Sequence, residues 1–350
     1  MQRYYTRACN FYFGNQSKIL VNKKKSIPLH QIKEISFDHV EIITRKKIRR
    51  ISINQVKKLP NNLKKKINAD IKKINSKKIN FSNFNFKKIP NILGVLNLTP
   101  DSFSDGGKFN KKNKGITHAI SLYKSGASII DVGGESTRPG SKPVNEKQEW
   151  NRINKILKLI VKKIPISLDT RKSSLMNKGI KLGVNLINDI SGLNFDKRTI
   201  NILKKYNMPF VIHHIQGNPM TMQKNPKYEN VLLDIYDYFE ERINFVRSNG
   251  IRHKNILIDP GIGFGKNLKH NITLISKISL FHSLGFPILL GTSRKRFIKD
   301  ISGANDTKER LGGTISSSLF AVMQGVQILR VHTVNEVIQG IKIFRELLKK

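Results

Sequence analysis

From Ile92 onward the chain repeats one pattern: a short apolar run, a polar loop, then a longer stretch in which apolar residues return every three or four positions. The short runs are "ILGVLNLT" (92–99), "ASIIDVGG" (127–134), "PISLD" (165–169), "LINDI" (186–190), "PFVIHH" (209–214), "NILIDPG" (255–261), "PILLGTS" (287–293) and "QILRVH" (327–332). Their hydrophobicity is continuous instead of alternating, as a strand buried on both faces requires, so they predict parallel strands. Between them, "NEKQEWNRINKILKLIVKKI" (145–164) carries Trp150, Ile153, Ile156, Leu157 and Ile160 at helical spacing. The stretch "NVLLDIYDYFEERINFVRSNG" ends in a glycine stop at Gly250, and "TVNEVIQGIKIFRELLKK" begins behind Thr333 as its N-cap. Eight such units over about 260 residues predict an α/β fold, a (β/α)8 TIM barrel. A doubly wound open sheet is the rival, and eight regular units favour closure.

Residues 1–88 follow a different pattern. They are rich in Lys and Asn, poor in glycine, and broken by "KKK", "RKKIRR", "NNLKKK" and "KKINSKK". Within them "ISFDHVEIIT" (35–44) has strand-like content. We read 1–88 as a basic N-terminal extension, small α+β or partly disordered, ahead of a barrel over 89–350. The first 33 residues carry Arg and Lys but no acid, as a transit peptide does, yet the strand-like segment favours a native extension.

Charge changes this picture little. Lys and Arg number 64 against 24 Asp and Glu, a formal net charge of +40. The Lys, Asn and Ile excess runs along the whole chain, as A/T-rich codons and solvated faces produce, and no basic motif is interleaved with aromatics. A nucleic-acid-binding protein is therefore the weaker alternative, and the positive field suits an anionic substrate. One cysteine, Cys9, excludes an internal disulfide framework, and no apolar run reaches the roughly 18 residues of a membrane span. The expectation is a cytoplasmic protein without membrane or specific nucleic-acid partners.

In a barrel of this kind the active site lies at the C-terminal ends of the strands, and here those ends are polar. They carry Asn97; Asp131; Asp169 followed by Thr170, Arg171 and Lys172; Asn188 and Asp189; His213 and His214; Asp259; Ser293, Arg294 and Lys295; and Arg330 with His332. Asp169, Asn188 and Asp259 offer acceptors and an amide donor to a flat heterocycle whose edge alternates N–H and C=O, and carboxylates meeting a guanidine-like edge form paired charge-assisted hydrogen bonds. Arg138, Lys295, Arg330 and His332 offer donors to a phosphate or carboxylate. The expected site is bipolar, with an acidic floor and a basic mouth. The glycine-rich loops "TPDSFSDGGKFN" (99–110) and "GGESTRPGSKPVN" (133–145) read as lids above it. The stretch "IDPGIGFGK" (258–266) matches neither the G-x-G-x-x-G nor the G-x-x-x-x-G-K-[ST] phosphate motif, so its informative residue is Asp259.

Taken together, "GVLNLTPDSFSDGGKF", "ASIIDVGGESTRPGS", "SLDTRKSSL", "LINDISGL", "IQGNPMTMQ", "IDPGIGFGKN", "GTSRKRFI" and "RVHTVNEV" resemble the dihydropteroate synthase family of bacterial folate synthesis, in order across residues 90–350. The resemblance implies a homodimeric TIM-barrel transferase joining 4-aminobenzoate to 6-hydroxymethyl-7,8-dihydropterin diphosphate, with Mg²⁺ as cofactor. It implies pterin binding by Asp169, Asn188, Asp259 and Lys295, with Phe264 beside the ring, and Asn97 as the magnesium ligand. Arg330 and His332 become diphosphate anchors, Thr137 and Arg138 the loop that meets anion and aminobenzoate, and Asp105 the lid carboxylate that stabilises a pterin cation; Asp105, Lys295 and Arg138 are the catalytic candidates. The extension resembles that of synthases from some alphaproteobacteria. A pterin-binding methyltransferase is the alternative within the superfamily, and it lacks the "STRPG", "SRK" and "RVH" sites. Two departures stand near the expected pterin pocket: the family often has methionines in "MHMQG" and before "SRK", where this chain has His213, Ile215 and Thr292.

Overall fold

Short aliphatic runs separated by long helical stretches leave each strand little choice but to pair in parallel with its sequence neighbours. In the computed structural model, which describes residues 2–99 and 114–349, all eight expected runs are strands. After four N-terminal strands they are β5 (Asn91–Asn97), β6 (Ile129–Gly133), β7 (Ile166–Asp169), β8 (Leu186–Asp189), β9 (Phe210–His213), β10 (Ile256–Asp259), β11 (Leu289–Leu290) and β12 (Ile328–Val331). They pair in the order β10-β9-β8-β7-β6-β5-β12-β11, and a parallel bridge from Ile258 to Ile288 joins the two ends. The sheet is thus the expected (β/α)8 barrel.

The intervening segments are helical. Glu146–Ile160 is capped by the Asn145 side chain, which accepts from the Gln148 amide, and buries Ile153, Leu157 and Ile160; it stops four residues short of the expected end. Val231–Ser248 is closed by Gly250 at φ +86, a left-handed conformation that glycine adopts without strain. Thr333 stands at the N-cap of Val334–Leu347, as the sequence reading has it, and its side chain makes no capping hydrogen bond.

Strand register decides which side chains face the barrel axis. Leu93 pairs with Ile129, Val95 with Asp131, and Asn97 with Gly133. Asp131 pairs with Ser167, Asp169 with Asn188, Asn188 with Val211, and His213 with Asp259. Side chains alternate along a strand, so on most of the strands one inward column runs from aliphatic at the N-terminal end to polar at the C-terminal end.

The first 75 residues close the aliphatic end. Strands β1 (Tyr5–Phe13), β2 (Ile27–Leu29), β3 (Ile32–Ile43) and β4 (Ile48–Ser52) form an antiparallel sheet with β3 at its centre. The segment anticipated as a strand (35–44) lies within β3 except for its last residue, and the helices Gly14–Asn22 and Asn61–Asn75 complete an α+β unit. Its apolar residues, among them Phe37, Val40, Ile67 and Ile74, share one core with Leu93, Ile129, Leu186, Val211, Leu257, Leu289 and Ile328, the lowest inward layer of the barrel. Polar ties surround that contact: Lys78 Nζ donates to the Gly285 carbonyl at 2.7 Å, Ser279 Oγ to the Ala8 carbonyl at 2.8 Å, and the Tyr5 hydroxyl to Asp237 at 2.9 Å.

Candidate active site

Two residues above the aliphatic layer, the same inward columns carry Asp131, Asn188, His213, Asp259 and Arg330. Arg330 is the centre of this layer. Its Nε donates to Asp131 Oδ2 at 2.7 Å and its Nη2 to Asp169 Oδ2 at 2.9 Å, while Asn188 Nδ2 donates to the same Asp131 oxygen at 3.0 Å. One guanidinium therefore serves two buried carboxylates. The Asp169 carboxyl is pushed above the usual carboxylate range, by burial first and by the Asp131 charge second, against the pull of Arg330.

Asp259 ends β10. Its Oδ1 accepts from the Gly261 amide at 2.7 Å, and burial pushes its carboxyl up to about 6, with that hydrogen bond and Lys295 opposing the rise. Beyond it the glycine-rich turn folds back on itself. Gly261 has φ +69, and a Cβ there would fall 2.0 Å from the His214 carbonyl; Gly265 has φ +65 and would meet the Gln216 backbone at 2.7 Å. Those two positions admit only glycine, and their close approach presents Phe264 to the site. The Lys295 ammonium lies 4.1 Å from the Phe264 ring centroid, a cation–π contact, and burial lowers that ammonium to about 8. Lys266, the lysine of the glycine stretch, turns inward to His214 Nδ1 at 2.9 Å and to the Phe264 carbonyl at 2.8 Å, so it pins the turn.

These residues line two adjoining pockets that share Thr137, Phe264, Lys295 and Arg330. A narrow crevice is lined by Asp169, Asn188, His213, Asp259, Phe264, Lys295 and Arg330. Beside it a wider space of about 570 Å³ is bounded by Asn97, Thr137, Arg138, Ser293, Arg294, Lys295, Arg330 and His332. The Ser293 hydroxyl bridges to the backbone N and Nδ1 of His332, at 3.3 and 3.1 Å. His332 is held far below the usual imidazole range by burial and then by Arg294, Arg330, Lys295 and Arg138. Four cations around a neutral imidazole make a site for an anion.

The structure thus brings together every sequence candidate within the described residues: Asn97, Thr137, Arg138, Asp169, Asn188, Asp259, Phe264, Lys295, Arg330 and His332. Asp105 lies outside the described residues. Arg330 stands lower than an anion anchor alone requires, with two of its five donors already on carboxylates. Asp189, another polar strand end, serves a turn instead: its Oδ1 accepts from the Ser191 amide and hydroxyl. Of the departures, His213 lines the crevice, Ile215 packs with Ile190, Met222 and Phe264, and Thr292 accepts from Ser317 on the helix Leu311–Val322.

Three residues escaped the sequence reading as site members. Asp131 was visible as a polar strand end, but its role as the partner of Arg330 comes from a pairing 199 residues apart. Arg294 joins the cation rim from a left-handed backbone, φ +58, held by its amide on Thr314 Oγ1 at 3.0 Å. Glu135, in "GGEST", anchors the Thr137–Arg138 loop: it accepts from Arg171, from Lys172 and, across the loop, from the Val144 amide at 3.1 Å. Lys172 also contacts the buried Glu149.

Among the described residues no group of three His, Cys, Asp or Glu side chains could hold a metal ion. Asn97 supplies one neutral oxygen at the wider pocket. Such a set fits a magnesium ion that arrives largely coordinated by phosphate and water.

Comparison with known proteins agrees with this geometry. The family described as "Pterin binding enzyme" matches residues 93–332. A dihydropteroate synthase of Escherichia coli K12 is 40% identical over 256 residues, 73% of this chain and 90% of its own. The solved Yersinia pestis dihydropteroate synthase, in a sulfonamide drug complex, superposes with a TM-score of 0.73 at 35% identity, covering 76% of this chain and 96% of that one. The Thermus thermophilus dihydropteroate synthase in complex with 4-aminobenzoate superposes with a TM-score of 0.68 at 35% identity, covering 75% and 96%.

Proposed function

The chain belongs to the pterin binding enzyme family, and from that premise we infer that it is a dihydropteroate synthase, a transferase of folate biosynthesis. It condenses 4-aminobenzoate with 6-hydroxymethyl-7,8-dihydropterin diphosphate to 7,8-dihydropteroate and pyrophosphate. One observation carries the reading: a floor of buried acceptors, Asp169, Asn188 and Asp259, and a rim of cations, Arg138, Arg294, Lys295 and Arg330, line two adjoining pockets with shared walls.

The reaction breaks the bond between the pterin methylene carbon and the diphosphate oxygen, whose electron pair leaves with pyrophosphate. A bond forms from that carbon to the aminobenzoate nitrogen, which then loses a proton. Positive charge develops on the pterin side and negative charge on the leaving group. Asp259 and Asp169 face the first, and Arg138, Arg294, Arg330 and the His332 imidazole face the second. Asp259, Asn188 and Asp169 hold the ring edge, Phe264 lies against the ring, and Lys295, over the Phe264 ring, reaches it from the same side. Thr137 and Arg138 orient the aminobenzoate, whose amine needs placement more than activation. Asp105 is assigned the lid carboxylate. Asn97 would hold Mg²⁺ together with the diphosphate, and the ion would neutralise charge on the leaving group.

The protein works as a homodimer, a reading supported by the exposed apolar residues Phe320, Met323, Ile343 and Leu347 at the adjoining helices Leu311–Val322 and Val334–Leu347. No described helix is long and apolar enough to cross a membrane, in keeping with a cytoplasmic enzyme. Purified protein with Mg²⁺ is expected to release pyrophosphate only when both substrates are present. Pyrophosphate from the pterin diphosphate alone, or no coupled product with both, would overturn the reading.

A further inference from the structure

His213 ends β9 in the inward register position paired with Asp259. Its side chain is only 4% exposed, yet neither ring nitrogen has a hydrogen bond in good geometry. Nδ1 is sealed inside the protein without a partner. Nε2 is the nitrogen on the Asp259 side, 3.9 Å from Oδ2, too far for a hydrogen bond between them. The ring is fixed edge-on against Phe264, with centroids 4.6 Å apart and planes at 84°, and forms part of the crevice wall.

A buried imidazole with both nitrogens unanswered is an uncommon state, because a buried polar atom without a partner destabilises the fold. Protonation does not resolve it. Burial, then Lys266, Lys295 and Arg330, hold the ring neutral, so it does not become the cationic partner of Asp259. A neutral ring has one donor and one acceptor. With the proton on Nδ1, the nitrogen sealed away from the crevice, the lone pair is on Nε2. Asp259 Oδ1 is occupied by the Gly261 amide, which leaves Oδ2 as its outward acceptor. The crevice floor therefore presents two acceptors side by side, Oδ2 and Nε2, with no donor from the chain between them.

We propose that His213 is a recognition residue of this site, its Nε2 acting with Asp259 Oδ2 to accept adjacent N–H groups of the bound pterin ring. The assignment rests on the synthase reading above. It gives the floor one acceptor beyond the sequence candidates, and it accounts for a polar side chain at a position where an apolar one would pack without penalty.

Three substitutions separate the possibilities. His213→Met keeps the length and removes both nitrogens; His213→Gln places an amide oxygen near the position of Nε2; His213→Asn places one near Nδ1. Calorimetric affinity for 6-hydroxymethyl-7,8-dihydropterin diphosphate is read alongside the KM for 4-aminobenzoate and the melting temperature. The expected result is an affinity for the pterin about tenfold weaker in the Met and Asn variants and close to wild type in the Gln variant. The aminobenzoate KM stays unchanged, and the Met variant melts no lower than wild type. Pterin affinity within twofold of wild type in the Met variant overturns the assignment, as does rescue by Asn instead of Gln, or an equal loss for both substrates. Wild-type protein that binds no pterin diphosphate overturns the synthase reading itself, an outcome distinct from any of these.

Discussion

The two ends of the barrel are built on the same strands and the same inward face, two residues apart, and they are finished in opposite ways. At the lower end Leu93, Ile129, Leu186, Val211, Leu257, Leu289 and Ile328 meet the apolar residues of the N-terminal sheet and helices in one continuous core. At the upper end Asp131, Asn188 and His213 each keep a buried polar atom without a partner. Where the chain supplies its own cover, aliphatic side chains meet aliphatic side chains. Where it does not, unanswered acceptors and an excess of cations mark the place that a ligand completes.

If this contrast is right, the largest effect follows from removing the cover. Deleting residues 1–88 bares seven aliphatic side chains, each worth roughly 1.5–3 kcal/mol of burial, a sum comparable to the whole stability of a domain. The truncated chain is expected to be insoluble or to bind a hydrophobic dye without a cooperative melt. A truncated barrel that melts like the full chain would show that the lower end needs no cover.

At the upper end the strongest single perturbation is Arg330→Ala, which leaves Asp131 and Asp169 without their shared guanidinium. Removing one partner of a buried pair removes about 3–5 kcal/mol of stability, and losing a charge-stabilising group lowers kcat/KM by roughly 10²–10³. Denaturant unfolding and steady-state kinetics on one variant read both. Unchanged stability would separate Arg330 from the acids it contacts.

Asp259→Asn is expected to weaken pterin binding by about a hundredfold and to leave the melting temperature the same or higher. The sign follows from its carboxyl, raised in the fold to about 6. Between the ordinary carboxylate range and pH 6 the folded protein binds more protons than the unfolded chain, so the unliganded protein loses stability as pH rises through that window. Pterin binding runs the other way. It needs the ionised acceptor, so affinity falls as pH drops below about 6, approaching tenfold per unit. The Asn variant flattens that profile, and a wild-type affinity independent of pH between 5 and 7 would remove Asp259 from the floor. The smallest effect concerns the loop anchor: Glu135→Gln keeps the reach to the Val144 amide but loses the charge facing Arg171 and Lys172. It is expected to raise the aminobenzoate KM about threefold to tenfold, with kcat for bound substrates little changed.

Much of this was legible along the chain because it depends on local order. Short continuous apolar runs suit buried strands, and eight of them at barrel spacing favour closure. Polar strand ends then meet at one mouth by topology alone, which is why Asp169, Asn188, Asp259, Lys295 and His332 were nameable before any coordinate. Glycine spacing in "IDPGIGFGK" excluded a phosphate loop, and the positive φ angles of Gly261, Gly263 and Gly265 agree with a turn that serves Phe264 instead.

The remainder depends on contacts between residues far apart in sequence. That residues 1–75 seal the lower end is invisible in their composition, because a lysine-rich segment with buried Phe37 and Ile67 reads much like one that stays in solvent until its partner surface is known. That Arg330 reaches down to Asp131 and Asp169, that Glu135 closes the loop onto Val144, and that Thr292 turns to Ser317 are facts of side-chain direction, set by packing after the strands have paired. The absence of a partner around His213 is of the same kind. Sequence determined which residues arrive at the mouth, since strand order and period are properties of the chain; only the folded structure decided which of their polar atoms remained unanswered, since hydrogen bonds form between neighbours in space.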